Sequence, residues 1–548
     1  MHVIARRTAE RLAGERGFSM AVAVFVMFVS SLLMYAAVDA VTGDVLPVRT
    51  SLDQNRALQA AYAGLSAYRQ QLQLNSQYWD TCPTVTNATV PGSTDDNATE
   101  YYSYFELPAT TAPSSDDKCD TSDPTGTLIE GNNVASGSFR VEVTGSSGKI
   151  SRTIVAEFRP PSFLDYVYFT DYEMPDPALD GSTCSSWLTA NGYTATTPPY
   201  YWTIKNGSIV GPSRNTACGS IEFVSQDSLL GPMHSNDELE ICGSPTFGRS
   251  GEEPPDAEET PGTYAASGCT DSAQFKTPSG QPNTSAGTLA VPQDDSSLVQ
   301  IADGGNSSLT NGCSATAGCV FTGPTRIVLN GSSITVTNAS YMSGNQTQLT
   351  AGYPTNGVIY VQDGSGSCPA YSNGSPAYPT SGACGNATVS GPYTESLTIA
   401  SANDVIINGS LTTGMDSSYE PTGNDFLGLI ANDFVRIAHP CGEQGVPSYI
   451  TDQSNPTVDA AILAVNHSFI VDNYNCGSAL GTLTVDGAIA QSFRGAVGTA
   501  DVNGGTSSGY LKQYEYDGAL ADESPPYFLN PTGANWDLVR ETECDTRC

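Results

Sequence analysis

Basic charge is what this sequence has least of. Of its 548 residues only 22 are Lys or Arg, five of them Lys, against 57 Asp plus Glu, and the formal net charge is -35. Arg6, Arg7, Arg11 and Arg16 precede the first apolar run, so the remainder is more acidic than the whole. Such a chain repels polyphosphate, and no basic stripe with interleaved aromatics offsets that repulsion, so nucleic acid is excluded as a partner. Histidine is scarce at four residues, His439 and His467 have no ligand-spaced partner, and no Cys-x-x-Cys occurs, which argues against zinc. No Gly-x-Ser-x-Gly stands in a strand-to-helix setting, so a hydrolase elbow is not indicated. Charge of either sign is dilute at 14% of residues, unlike an acidic disordered tail.

What is present begins with cysteine. Fourteen occur, Cys82, Cys119, Cys184, Cys218, Cys242, Cys269, Cys313, Cys319, Cys368, Cys384, Cys441, Cys476, Cys544 and Cys548, in Gly-, Ser-, Pro- and Asn-rich surroundings. An even count in loops reads as disulfides made in an oxidising compartment. Sequence does not assign partners; pairing of consecutive cysteines closes the shortest loops.

Residues 1–17 are polar and net positive, and Phe18 to Ala37 then runs without a charge. At about 1.5 Å rise per residue this run covers roughly 30 Å, the thickness of a bilayer core, which makes it a candidate membrane helix. Three readings compete: a leader cut between Gly17 and Phe18, a signal peptide cut after Ala40, and an uncleaved anchor. The first is favoured because helical spacing resumes beyond the run at Leu58, Ala61, Tyr62, Leu65, Tyr68 and Leu72. Gly43 and Pro47 are expected to kink the helix between its halves.

Arg16-Gly17-Phe18-Ser19-Met20, the apolar run, and Asn55-Arg56-Ala57-Leu58-Gln59-Ala60-Ala61-Tyr62-Ala63-Gly64-Leu65 together resemble the N-terminal domain of PilX-type minor type IV pilins. The resemblance covers roughly residues 10–75. It implies cleavage after Gly17 by a prepilin peptidase, a helix inserted in the membrane or a pilus, and other pilin or pseudopilin subunits as partners. It also implies a cell-envelope location, anchored by a single pass and displayed outside the cell. Val22 stands where major pilins carry a glutamate, which favours a minor or tip subunit over a filament builder.

Residues 76–160 read as loop and short strands ending in a β-hairpin, with strands at Phe139–Val143 and Ile150–Phe158 and a turn at Gly145 to Gly148. The aromatic stretch 162–173 is expected to pack on the following domain. From 161 to 500, short apolar strands join at recurring corners centred on Asn236, Asn403, Asn432 and Asn466, with Leu329-Asn330 a weaker copy. Asn tolerates left-handed backbone and bonds neighbouring backbone groups, so it suits a stacked corner. The fold expected is mainly β with a long N-terminal helix, the large domain a right-handed parallel β-helix, with β-sandwiches as the alternative. Residues 501–548 are expected to cap it.

For chemistry, Gly231-Pro232-Met233-His234-Ser235-Asn236-Asp237 groups a His, an Asn and an Asp, but Asn236-Asp237 also fits the corner pattern. Arg436 with Asp404 and Asp433 on adjacent rungs is the one constellation resembling a polysaccharide-degrading site, and facing charges explain it equally. Asp472-Asn473 and Asp501-Val502-Asn503-Gly504 are fragments of calcium-type ligand sets, so no cofactor is required and calcium alone stays open. The expectation is a non-enzymatic surface protein for adhesion or assembly, with a surface or glycan as ligand; a β-helix enzyme and a plain anchored envelope protein are the alternatives.

Overall fold

The computed structural model describes residues 18–75, 78–93, 99–108, 119, 138–179, 181–341, 348–413, 425–500, 505–521, 523–532 and 536–544, with backbone alone for 18, 19 and 37–49. The leader with Gly17, the fragment 501–504 and Cys548 lie outside these residues. The chain forms two units, one of residues 1–127, 139–158 and 538–548, the other of 128–138 and 159–537.

In the first unit one helix, Phe18–Leu74, runs through Gly43 and Pro47 as a single 57-residue element. Its second half packs on a five-stranded sheet ordered Val85–Thr89, Glu100–Leu107, Phe139–Ser147, Ile150–Arg159 and Asp537–Cys544. The first four strands are joined by antiparallel pairs. Strand Phe139–Ser147 alternates buried and half-buried residues, the period of a strand with one face on a core. The buried stripe of the helix is Ala57, Ala60, Ala61, Leu65, Tyr68 and Leu72. It is rotated from the expected one: Tyr62 is exposed and Leu58 half-buried, because small Ala57 and Ala60 let the sheet approach more closely. Gly145 is the counterpart on the sheet. A Cβ there would lie 2.1 Å from the Ala57 carbonyl oxygen and 2.2 Å from the Ala61 nitrogen. The expected turn is therefore corrected: Gly145 lies within the strand, and the chain reverses at Gly148 (φ 61°) and Lys149.

Around Tyr68, the rings of Tyr78, Tyr104, Phe139 and Phe158 lie with centroids 5.3 to 6.2 Å away. The Tyr68 hydroxyl donates to the Glu106 carboxylate inside this cluster. Burial pushes the Glu106 carboxyl up to about 8, opposed by that hydrogen bond.

The second unit is dominated by a mixed sheet of 22 strands among the described residues. Most of its pairings are parallel and fall into three ladders. The first stacks Cys319–Thr322, Val358–Gln362, Leu397–Ser401, Leu427–Ala431, Thr457–Ala464 and Ala479–Phe493. The second stacks Thr325–Leu329, Ala387–Pro392, Val405–Thr412, Val435–Ile437 and Phe469–Val471. The third runs from Thr457–Ala464 through Ala479–Phe493, Thr506–Glu515, Ser228–Leu230 and Thr246–Phe247 to Gln274–Phe275. Antiparallel strands Ile334–Asn338 and Gln348–Ala351 extend the second ladder sideways. Leu397–Ser401 and Leu427–Ala431 are buried at every residue, as strands covered on both faces must be, and so read as continuous apolar runs rather than alternating ones.

Spatial order departs from chain order. The first strand of this unit, Tyr168–Tyr172, pairs with Ile489–Phe493 on one side and with Met233–Ser235 on the other. The chain thus enters in mid-stack, builds one side with residues up to 275, and returns from the far side with its later strands. The expected C-terminal cap is corrected accordingly. Thr506–Glu515 is an interior strand between Ala479–Phe493 and Ser228–Leu230, and Asp537–Cys544 belongs to the sheet of the first unit. Phe163, Leu164, Tyr168 and Phe169 of the aromatic stretch are buried in the main core.

Candidate functional site

The apolar half of the N-terminal helix is the most exposed hydrophobic surface described. Met20, Phe25, Met27, Phe28, Leu33, Met34 and Tyr35 are each at least 64% exposed, on every side of the helix. Among the described residues no helix is long and apolar enough to cross a membrane. Side chains are described for 20–36 of the expected run Phe18 to Ala37, about 25 Å of helix against roughly 30 Å of bilayer core. Val22 is 46% exposed on this surface.

The Asn corners lie where the first ladder turns into the second. The Asn403 carbonyl accepts the Asp433 N–H (3.0 Å), and the Asn432 carbonyl accepts both the N–H and the side-chain amide of Asn466 (3.0 and 2.9 Å). Asn403 also donates its side-chain amide to Asn386, a corner residue absent from the sequence pattern because Gly385 and Ala387 flank it in a loop-like context. Asn236 occupies a different corner: its backbone N–H reaches Thr170, and its side chain bonds both the N–H and carbonyl of Leu289 (2.9 and 2.7 Å).

His234 lies beside that corner and is 2% exposed. Its Nδ1 is 2.8 Å from Glu259 and its Nε2 3.0 Å from the Asn236 amide oxygen. Asp237 receives the Arg214 guanidinium at 2.6 Å, both side chains fully buried, and the N–H of Tyr201 at 2.6 Å. Each polar group singled out by sequence here has a partner within the wall, so the segment locks a turn.

Arg436 also behaves as a structural charge. It meets Asp404 at 3.0 Å and Asp472 at 3.0 Å, with no side chain of the three more than 6% exposed. Tyr371 and Tyr378 flank its guanidinium at 4.6 and 5.7 Å. Asp433, the expected second carboxylate, is not a partner; it faces His467 Nε2 at 4.0 Å. Asp472 replaces it because parallel stacking places Val471 beside Ile437, so the residue just after Phe469–Val471 meets Arg436 from one side, while Asp404, just before Val405–Thr412, meets it from the other. His467 donates or accepts at Asp176 (2.7 Å) and stacks on Phe434. Burial lowers the His467 pKa, but the Asp176 hydrogen bond and charge outweigh it and the net shift is upward. His439 bonds Asp452 at 2.7 Å.

An open cleft of about 330 Å3 lies beside strand Thr506–Glu515, lined in part by Ser220, Glu222, Tyr474, Thr499, Tyr510 and Lys512. Its size is within the roughly 300–1,000 Å3 of small-ligand sites. Lys512 meets Asp227 at 2.6 Å and Arg494 meets Glu173 at 3.0 Å, both cations lying against the Phe223 ring. Sequence offered no signal for this cleft, since its walls come from residues nearly 300 positions apart.

Among the described residues six disulfides have both partners: Cys82–Cys119, Cys184–Cys218, Cys242–Cys269, Cys313–Cys319, Cys368–Cys384 and Cys441–Cys476. Each joins cysteines consecutive in the chain, and Cys544 is also disulfide-bonded. Such a set suits an oxidising compartment outside the cytoplasm. Cys82, Cys119 and Glu106 converge closely enough for a metal, but the two sulfurs are bonded to each other.

No family model matches the chain, and no curated protein matches it. Among solved structures it is similar to the crystal structure of the competence-associated pilin ComZ from Thermus thermophilus, at 11% identity over 90% of this chain and 97% of that one, with a TM-score of 0.27. A score of that size does not equate two folds.

Proposed function

We propose that this chain is a minor type IV pilin-like protein of the cell envelope, not an enzyme, that inserts its N-terminal helix in the membrane or a pilus and displays a right-handed parallel β-helix for adhesion or assembly. The observation that carries the reading is the division of one continuous helix. Residues 20–36 are apolar and exposed all round, whereas from Ala57 to Leu72 a single stripe is buried on an antiparallel sheet. An apolar surface of that extent needs a covering of lipid or of other apolar helices. With the Gly17/Phe18 motif in front of it, the covering is membrane before assembly and neighbouring pilin-type helices after it. Parallel ladders, two of them joined at stacked Asn corners, support the β-helix reading. The Arg214, Arg436 and Arg494 ion pairs, each nearly without solvent contact, support a structural use of charge over catalysis.

The test is fractionation of full-length chain from cells that carry a prepilin peptidase and pilus assembly machinery. Wild type is expected in the membrane and in sheared surface fibres, and Phe25→Asp is expected to be depleted from both. Wild type in the soluble fraction, or an unchanged distribution of the variant, would sink the proposal.

A further inference from the structure

The Cys82–Cys119 disulfide of the first unit has a buried acid beside it. A Glu106 carboxylate oxygen, the Cys82 sulfur and the Cys119 sulfur lie within 4.8 Å of one another. Cys119 is docked there by its backbone N–H, which donates to the Glu106 carbonyl at 3.0 Å. Glu106 is 1% exposed and Cys82 7%, whereas Cys119 is half-buried. Oε1 of the Glu106 carboxyl accepts the Tyr68 hydroxyl, and Oε2 has no hydrogen-bond partner.

An orphaned oxygen beside aromatic rings is costly for an anion and tolerable for a neutral acid. Among the described residues the titratable groups facing this carboxyl are Tyr68, Tyr104 and Asp80. Burial pushes Glu106 up to about 8, opposed by the Tyr68 hydrogen bond and helped by the Asp80 charge. At neutral pH it therefore holds a proton next to a sulfur–sulfur bond.

We propose that Cys82–Cys119 is a thiol–disulfide exchange site, with Glu106 as its acid–base group and an external dithiol as its reaction partner. A thiolate of that dithiol attacks the more accessible Cys119 sulfur. A mixed disulfide forms as the Cys82–Cys119 bond breaks, and the electron pair of the broken bond leaves on Cys82. A thiolate at that buried position is unfavourable without a proton, which Glu106 supplies directly or through one water. The partner's second thiolate then attacks its own sulfur in the mixed disulfide and releases Cys119 as a thiol. The protein disulfide is reduced by two electrons, the dithiol is oxidised to a disulfide, and its two protons balance those gained by Cys82 and Cys119. In the reverse direction the Glu106 carboxylate takes the proton from Cys82. Because Tyr68 belongs to the buried stripe of the helix, exchange here acts on the contact that holds helix to sheet.

The experiment is reduction of the full chain in detergent by dithiothreitol, quenched by alkylation and resolved disulfide by disulfide by mass spectrometry. At pH 7, Glu106→Gln is expected to slow the opening of Cys82–Cys119 about tenfold or more and to leave the other disulfides unchanged. Corrected for the thiolate fraction of dithiothreitol, the wild-type rate should fall as pH passes about 8, where Glu106 loses its proton, and the Gln variant should lack that fall. Tyr68→Phe keeps the acid and removes the bond that lowers its pKa, so it should move the fall to higher pH. This second variant keeps the test decisive if Glu106→Gln does not fold. A Glu106→Gln rate equal to wild type, or a wild-type profile without the fall, would overturn the proposal in favour of a structural staple. A Gln variant that opens faster would also overturn it, because reduction would then run through unfolding and need no acid.

Discussion

The two halves of the N-terminal helix share one backbone and differ in what covers them. Residues 20–36 expose Phe25 at 67% and Leu33 at 66%, whereas Leu65, Tyr68 and Leu72 are at 4%, 0% and 1%. Folding stability therefore resides in the second half, and the first is left exposed. The β-rich unit repeats the contrast in another form: its charged residues, not its apolar ones, are the unusual burials. Among the described residues, helix-on-sheet packing buries one ionisable carboxyl, Glu106, but stacked strands bury Arg214, Arg436 and Arg494 beside carboxylates.

The largest effect expected is at these ion pairs. Arg436→Met should destabilise the second unit by about 3–5 kcal/mol, because Asp404 and Asp472 would remain buried without their cation. Replacing all three residues by apolar ones should recover most of that loss; urea melts of the two variants check the difference. Tyr68→Ala should cost about 3–5 kcal/mol through the cavity among four aromatic rings, measured by the same method. Gly145→Ala should cost about 1–3 kcal/mol or more by pushing the helix off the sheet.

A smaller effect concerns pH. Glu106 has a folded pKa raised to about 8 from an ordinary carboxylate value, so its native form retains a proton that the unfolded form has lost. Stability is then fullest below about pH 4.5 and falls as pH rises to about 8, with a slope of up to about 1.4 kcal/mol per pH unit for this group. Glu106→Gln should flatten that slope in melts across pH 5–8. The smallest effect is expected in the exposed half, where Phe25→Asp should leave the unfolding free energy of the folded units within about 0.5 kcal/mol of wild type. A large loss there would break the contrast between the two halves.

The helix, though not its unbroken course through Gly43 and Pro47, the hairpin strands, and the corner shared by Asn403, Asn432 and Asn466, though not the separate one at Asn236, are legible because each depends on local pattern: apolar spacing, alternation, and a residue type that suits a turn. Apolar spacing points to Leu58 and Tyr62 in place of Ala57 and Ala60, since size alone does not reveal which side a glycine on the facing strand will admit. Asp472 was missed beside Arg436, and the cleft at Lys512 was missed altogether, because both depend on which strands stack. Stacking order is set by non-local burial, and here Tyr168–Tyr172 sits between strands from opposite ends of the unit.

If residues 20–36 are uncovered because they enter a membrane and then a filament, as proposed, mass analysis of the mature N-terminus should find a chain that begins at Phe18; a chain that begins at Val41 or retains Met1 would rule that route out.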